Sequence, residues 1–346
     1  MQRESVNILG VETSCDETAA AVVADGRIVK SSVVASQSKL HEKYGGVVPE
    51  IASRAHIENI YPVIAEAIEQ AAIDKDDIDA IAIVNQPGLT VALIVGVTAA
   101  KTLAFAWEKP LIAIDHLHAH IQSAFFTEYT LKLPAVALIV SGGHTSLYDY
   151  HSPLEPKLLG LTIDDAAGEA FDKVATILKL PYPGGPAIEN AAKDGDAGAI
   201  KFPRSLLGPD SLDFSFSGIK TAVLYHCRGQ DMKGQNKVDS MSTRQIADIA
   251  ASFQAAVVDV LVEKTSRAVD KIGAETVLLG GGVAANNCLR IALQKMCDST
   301  APAKKLLIAP KQYCTDNAVM VASLAYHKFK AKLFADLTLE PKAHSQ

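Results

Sequence analysis

His116 and His120 stand four residues apart in Asp115-His116-Leu117-His118-Ala119-His120. On a helix, positions i and i+4 share one face, so both rings can reach the same ion. The pair directly follows the apolar run 111–115, and α/β sheets place their sites beyond strand ends of this kind. His118 falls on another side of such a helix. The peptidase zinc motif H-E-x-x-H is not met, because Leu117 stands where its general base would be. The pair needs a further ligand, preferably a carboxylate, and Cys314-Thr315-Asp316-Asn317 offers Asp316. Asp316 is equally suited to capping the last helix. Solvated histidines at a helix start are the plain alternative.

Three other segments carry chemistry. Glu12-Thr13-Ser14-Cys15-Asp16-Glu17-Thr18 puts three acids and three hydroxyls at the end of an apolar strand, where a solvated hairpin turn is the simpler account. Glu12, however, lies within the apolar run and is costly to bury without a partner. Ile139-Val140-Ser141-Gly142-Gly143-His144-Thr145 and Gly280-Gly281-Gly282-Val283-Ala284-Ala285-Asn286 are glycine-rich turns. The second leads into a helix start, expected to offer N–H groups and a positive dipole end to an anion. It is not a Walker A loop. Residues 163–175 (IDDAAGEAFDKVA) read as a helix with an acidic first turn. Pro181-Tyr182-Pro183-Gly184-Gly185-Pro186 reads as a rigid loop walling a pocket.

These segments must be held by something, and the apolar pattern supplies it twice. Strands at 6–13, 18–24 and 27–35 are followed by helix 51–72, strand 80–84, helix 93–107 and strand 111–115. The second set has strands at 135–141 and 146–150, then helices 166–180 and 245–272. Strand 276–280, a helix near 285–296, strand 305–310 and a last helix 316–329 follow. Strand–helix alternation predicts largely parallel sheets with right-handed crossovers. A hairpin-led unit occurring twice predicts two related α/β lobes, a layout that resembles the actin, sugar kinase and Hsp70 superfamily. The expected lobes are 1–130 plus 316–346 and 131–315, with the active site in the cleft between them. Residues 227–242 are polar and read as a loop.

With 346 residues the chain is long enough for two ordinary domains. Its five cysteines are scattered with no C-x-x-C pair, which points to free thiols in a reducing compartment. No apolar leader opens the chain. The most apolar stretch, 91–107, carries Lys101 and falls short of the roughly 20 residues of a membrane span, so a cytoplasmic protein without membrane attachment is expected. The net charge of −6 leaves room for a local basic patch but argues against a nucleic-acid coat.

Ten strings, from GVETSCDET (10–18) to YCTDNAVM (313–320), carry a resemblance that covers essentially the whole chain. Between them come YGGVVPEIASRAH (44–56), QPGL (86–89), DHLHAH (115–120), VSGGHT (140–145), IDDAAGEAFDK (163–173), YPGGP (182–186), DFSFSGIKT (213–221) and GGVAANNCLR (281–290). With these the chain resembles the TsaD family of tRNA N6-adenosine threonylcarbamoyltransferases. The resemblance implies one divalent metal per subunit on His116, His120 and Asp316, iron(II) foremost with zinc in its place as the alternative. It implies threonylcarbamoyl-AMP contacts at Ile139, Val140, Ser141, Gly142, Gly143, Asp172, Gly185, Glu189 and Asn286, with Glu12 as the catalytic candidate near the substrate phosphate. The reaction implied is transfer of threonylcarbamoyl to N6 of the adenosine beside the anticodon, with AMP released. Implied partners are tRNA and either a TsaB-like scaffold paralogue with a TsaE-like ATPase, or a second copy of the chain.

Two rivals share the layout. A sugar kinase or ATPase would use the same cleft without a histidine pair, and a silent scaffold paralogue would not retain DHLHAH and YCTDN. A glycoprotein endopeptidase, the older assignment for such sequences, lacks its glutamate here.

Overall fold

The computed structural model describes residues 5–127, 131–229 and 237–345. The described part begins with β1 (Asn7–Glu12), β2 (Glu17–Ala24), β3 (Ile28–Ser36), α1 (Ser38–His41), α2 (Pro49–Gln70), β4 (Ala80–Gln86), α3 (Thr90–Ala106), β5 (Leu111–Asp115) and α4 (His116–Ser123). Then come β6 (Ala135–Val140), β7 (Thr145–Tyr150), β8 (Lys157–Leu161), α5 (Ala167–Ile177), α6 (Gly184–Ala192), α7 (Ser217–Arg228) and α8 (Thr243–Ile272). The chain closes with β9 (Thr276–Gly280), α9 (Asn287–Ser299), β10 (Lys305–Ile308) and α10 (Ala318–Lys330). Two compact units result. One is Met1–Phe126 with Ser152–Leu154 and Thr315–Gln346; the other is Thr127–His151 with Glu155–Cys314.

Each unit holds one five-stranded sheet, in the orders β3-β2-β1-β4-β5 and β8-β7-β6-β9-β10. The two orders are the same pattern, and so are the directions. In each, a three-stranded antiparallel meander joins two parallel strands at its first-formed strand. The sheets are therefore mixed, not largely parallel. Four-residue turns at Thr13–Asp16 and Ser141–His144 connect the leading strands, and a link that short can only make an antiparallel pair.

In the first unit, Leu9 and Val11 of β1 pack with Val63 and Ala67 of α2 and Val97 and Ala100 of α3. Gly10 between them faces the opposite side, where an added Cβ would lie 2.5 Å from the Ala318 carbonyl of α10. The alternation of a strand thus sorts helices to the two faces of the sheet. In the second unit, Val136, Leu138 and Val140 of β6 meet Phe171 of α5 and Phe253 and Val257 of α8. α8 is the one helix among the described residues long and apolar enough to cross a membrane. Its buried residues Phe253, Val257 and Leu261 make it the core helix of this unit.

Two loop expectations hold only in part. Gly184 to Pro186 form the first turn of α6, with Pro183 as its cap residue. A first turn has no intrahelical use for its N–H groups, so Pro186 costs nothing there. Of the polar stretch 227–242, Cys227 and Arg228 end α7 and Lys237–Ser240 make a 3-10 turn. Residues 230–236 lie outside the described part.

Candidate active site

Asp115, the last residue of β5, sets up the histidine pair. Its Oδ1 accepts the N–H groups of Leu117 (2.9 Å) and His118 (3.1 Å), so α4 begins at His116. His116 and His120 then stack one turn apart, ring centroids 4.6 Å and planes 82° apart, both buried. The carboxylate arrives from the far end of the chain. Asn317, not Asp316, caps α10 by accepting the Met320 N–H at 3.0 Å. That leaves Asp316 for the histidines, its Oδ1 at 3.1 Å from His120 Nε2 and 3.5 Å from His116 Nε2. One ligand atom from each of the three residues falls within 4.8 Å of the others. Bonds of about 2.0–2.2 Å to a shared ion set neighbouring ligands roughly 3–3.5 Å apart, a range that holds both distances from Asp316 to the histidines.

Glu12 stands behind the pair. It is 1% exposed; its Oε1 accepts the Ser14 N–H at 2.5 Å, and its Oε2 accepts the His116 Nδ1–H at 2.9 Å. Ser14 Oγ lies 3.2 Å from the same nitrogen. A carboxylate on Nδ1 fixes the ring orientation and turns Nε2 toward Asp316, where it can serve as a ligand once its proton is displaced by an ion. Glu12 therefore holds His116 in place, whatever further part it takes near the substrate.

The electrostatics fit a cation. Burial works against charge on His116, yet the Asp316 and Glu12 carboxylates outweigh it and raise its pKa to about 9. Burial lowers that of His120. Asp16 is raised by burial and then by Asp316, and Glu17 goes up to about 8 by burial, Asp16 and Asp316. Carboxylates that hinder one another's ionisation favour a bound divalent ion, which relieves the repulsion. Burial, then Asp16 and Asp316, also push the Cys15 thiol well up, which disfavours its thiolate.

The remaining expected residues gather in the second unit. Ile139 and Val140 have fully buried side chains, so only their backbone could meet a ligand; Ser141 is buried too, and Gly142 and Gly143 are exposed. The Gly168 N–H of the α5 start donates to the Ser141 carbonyl at 3.2 Å. Gly281, at φ +90°, lies against the Val140 backbone, where an added Cβ would sit 2.4 Å from the carbonyl oxygen. Asp172 accepts the Gly184 N–H at 2.7 Å, so Asp172 and Gly185 meet at the α6 start. Side chains added at Gly142, Gly143, Gly185 or Gly282 would enter open space.

One expectation is corrected here. The α9 N-terminus does not wait for a ligand anion, because the Glu189 carboxylate already accepts the Asn287 N–H (2.9 Å) and Nδ2 (2.7 Å). Asn286 Oδ1 accepts the Leu289 N–H at 3.0 Å and its Nδ2 donates to Gln254 at 2.8 Å. Glu189 and Asn286 are thus caps of α9.

Across residues 28–323 the chain matches the family model of TsaD, tRNA N6-adenosine threonylcarbamoyltransferase. This chain belongs to that family. The tRNA N6-adenosine threonylcarbamoyltransferase of Moorella thermoacetica is 49% identical over 333 residues, covering 96% of this chain and 95% of its own. That of Thermomicrobium roseum is 50% identical over 357 residues, covering 97% and 96%. Among solved structures, HypF of T. kodakarensis shares the fold at 14% identity, with a TM-score of 0.61 over 96% of this chain and 50% of its own. ROK hexokinase from Thermus thermophilus does so at 17% identity, with a TM-score of 0.50 over 94% of this chain and 100% of its own. As a member of the threonylcarbamoyltransferase family the chain is a transferase that modifies tRNA, on the actin, sugar kinase and Hsp70 fold.

Three residues beyond the expected set help to build the candidate site. Asp115 and Asn317 are caps, legible as Asp or Asn just before apolar helix residues. Gln86 donates to Asp115 Oδ2 at 3.2 Å and has no such signature.

Proposed function

We propose that this chain transfers a threonylcarbamoyl group from its mixed anhydride with AMP to N6 of the adenosine 3′ to the anticodon, in tRNAs reading codons that begin with A. The N6 amine attacks the carbamoyl carbonyl carbon. The new N–C bond forms, the C–O bond to phosphate breaks, N6 loses a proton and AMP leaves with the bonding pair. Because the exocyclic amine of adenine is a poor nucleophile, positioning and stabilisation of the carbonyl oxygen matter more than a strong base. The adenosine must also leave its stack to be reached.

The observation that carries this proposal is the buried set His116, His120 and Asp316 with Glu12 behind it. Two imidazoles and one carboxylate leave room for substrate on a shared ion and match the donor set of open iron(II) sites. Iron(II) is therefore the assigned metal, one per subunit, with zinc as the alternative. When bound, the ion supplies Lewis acidity and fixed positive charge. The adenylate is assigned to the backbone of Ile139 to Gly143 and the Asp172–Gly185 corner, where glycines leave open space. Glu189 and Asn286 support that surface by holding α9. A TsaB-like scaffold and a TsaE-like ATPase, or a second copy, are the proposed partners, and the cytoplasm the proposed location.

The test is reconstitution: purified chain, threonylcarbamoyl-AMP and tRNA, with and without the partners, followed by mass spectrometry of the nucleosides. The modified adenosine is expected, and its loss with His120→Ala. Unmodified tRNA from folded, metal-loaded protein in every combination would refute the proposal.

A further inference from the structure

The turn from β1 to β2 is held from outside at three successive carbonyls. Leu89 N–H donates to the Ser14 carbonyl at 2.8 Å, His56 Nε2 to Cys15 at 3.0 Å, and Gln37 N–H to Asp16 at 3.0 Å. A carbonyl can only accept, so the His56 proton sits on Nε2. Its Nδ1 then accepts the Thr18 hydroxyl at 2.8 Å, from the far end of the same turn. His56 is 0% exposed. Behind it, Gln37 Oε1 accepts from His41 Nε2 at 3.2 Å, and His41 Nδ1 accepts the Val48 N–H at 3.2 Å. The strings 44–56 and 86–89, which supply no ligand to the ion site, thus both end on this turn. The turn in turn presents the Ser14 N–H to Glu12, and Glu12 holds His116 Nδ1.

We infer that His56 is a positioning residue for the metal centre, acting through the Cys15 carbonyl and the Ser14–Glu12–His116 relay. This rests on the ion site proposed above. A buried histidine that merely fills the core would need its volume; this one needs a donor at Nε2. The two demands separate in two variants. Gln at position 56 carries a donor at the reach of Nε2, whereas Asn carries an acceptor at the reach of Nδ1 and leaves the Cys15 carbonyl unpaired.

The probe is Co(II) bound to the full-length metal-free protein, read by its visible absorption and by chelator competition, below the melting point of each variant. His56→Asn is expected to bind Co(II) about 10-fold more weakly with an altered ligand-field band, the low end of what outer-shell partners of metal ligands contribute. His56→Gln is expected within about twofold of the parent, by the same reasoning. Parental affinity and spectrum in His56→Asn overturn the inference. So does equal weakening in both variants in step with loss of melting temperature, since that marks a packing role. Parental binding in His120→Ala would instead remove the ion site itself, and this inference with it.

Discussion

Glu12→Gln gives the sharpest test of how the ion site is built. The carboxylate meets two donors, the Ser14 N–H at 2.5 Å and His116 Nδ1 at 2.9 Å, from a position 1% exposed. An amide of the same size has only one acceptor oxygen. If its NH2 faces Ser14, two donors confront each other in a dry site, at a cost of about 1–3 kcal/mol. If it faces His116, the ring must carry its proton on Nε2, the atom that owes the ion a lone pair. Either arrangement is expected to weaken metal binding about 10- to 100-fold, roughly 1.4–2.7 kcal/mol. The assay is chelator competition with Co(II) or Zn(II) on variant and parent, paired with transfer rate at saturating metal. Because Glu12 acts through His116, the rate should largely return when the metal is saturating. Metal affinity within twofold of the parent would refute the relay. Unchanged affinity with a rate that stays lost would place Glu12 on the substrate instead.

Asn317→Ala removes the α10 cap, at about 1 kcal/mol in denaturant unfolding, and should also weaken metal binding because Asp316 precedes it. Gly281→Ala places a side chain at φ +90°, 2.4 Å from the Val140 carbonyl oxygen; about 1–3 kcal/mol of backbone strain should lower the unfolding midpoint. His116→Ala should abolish tight metal binding in the same competition assay, with the unfolding midpoint of the metal-free protein far less affected. Glu17 is raised to about 8, first by burial and then by Asp16 and Asp316. The folded metal-free protein therefore holds a proton that the unfolded chain releases near its ordinary 4.5, so stability falls as pH rises between about 4.5 and 8. Glu17→Gln should match the parent in melting temperature near pH 4 and exceed it near pH 8.5; a parallel pair of curves would contradict this.

How much the sequence tells depends on whether a signal is local. The i, i+4 spacing of His116 and His120, the buried-strand runs and the repeat of a hairpin-led unit are all local patterns, and each element they mark is present. The first turn of α6 is hidden in the sequence because Pro183 and Pro186 look like breakers, yet proline is harmless where N–H groups have no helical partner. The glycine turn before α9 looked ready for an anion because its occupant, Glu189, comes from a helix about a hundred residues earlier in the chain. Strand–helix alternation does not report sheet direction here, because the short leading turns force antiparallel pairs.

By itself the sequence determined which side chains could bind a metal, because spacing on one helix is a local geometric fact. It also fixed the family, through motifs spread over the whole chain. Only the tertiary structure decided that Asp316, 196 residues beyond His120, completes the set while Asn317 takes the cap. It also made Glu12 the hydrogen-bond partner of His116, and gave His56 a place behind it. Those assignments depend on distances between residues far apart in the chain, which the packing of β1, α2, α4 and α10 around one sheet creates and no local pattern encodes.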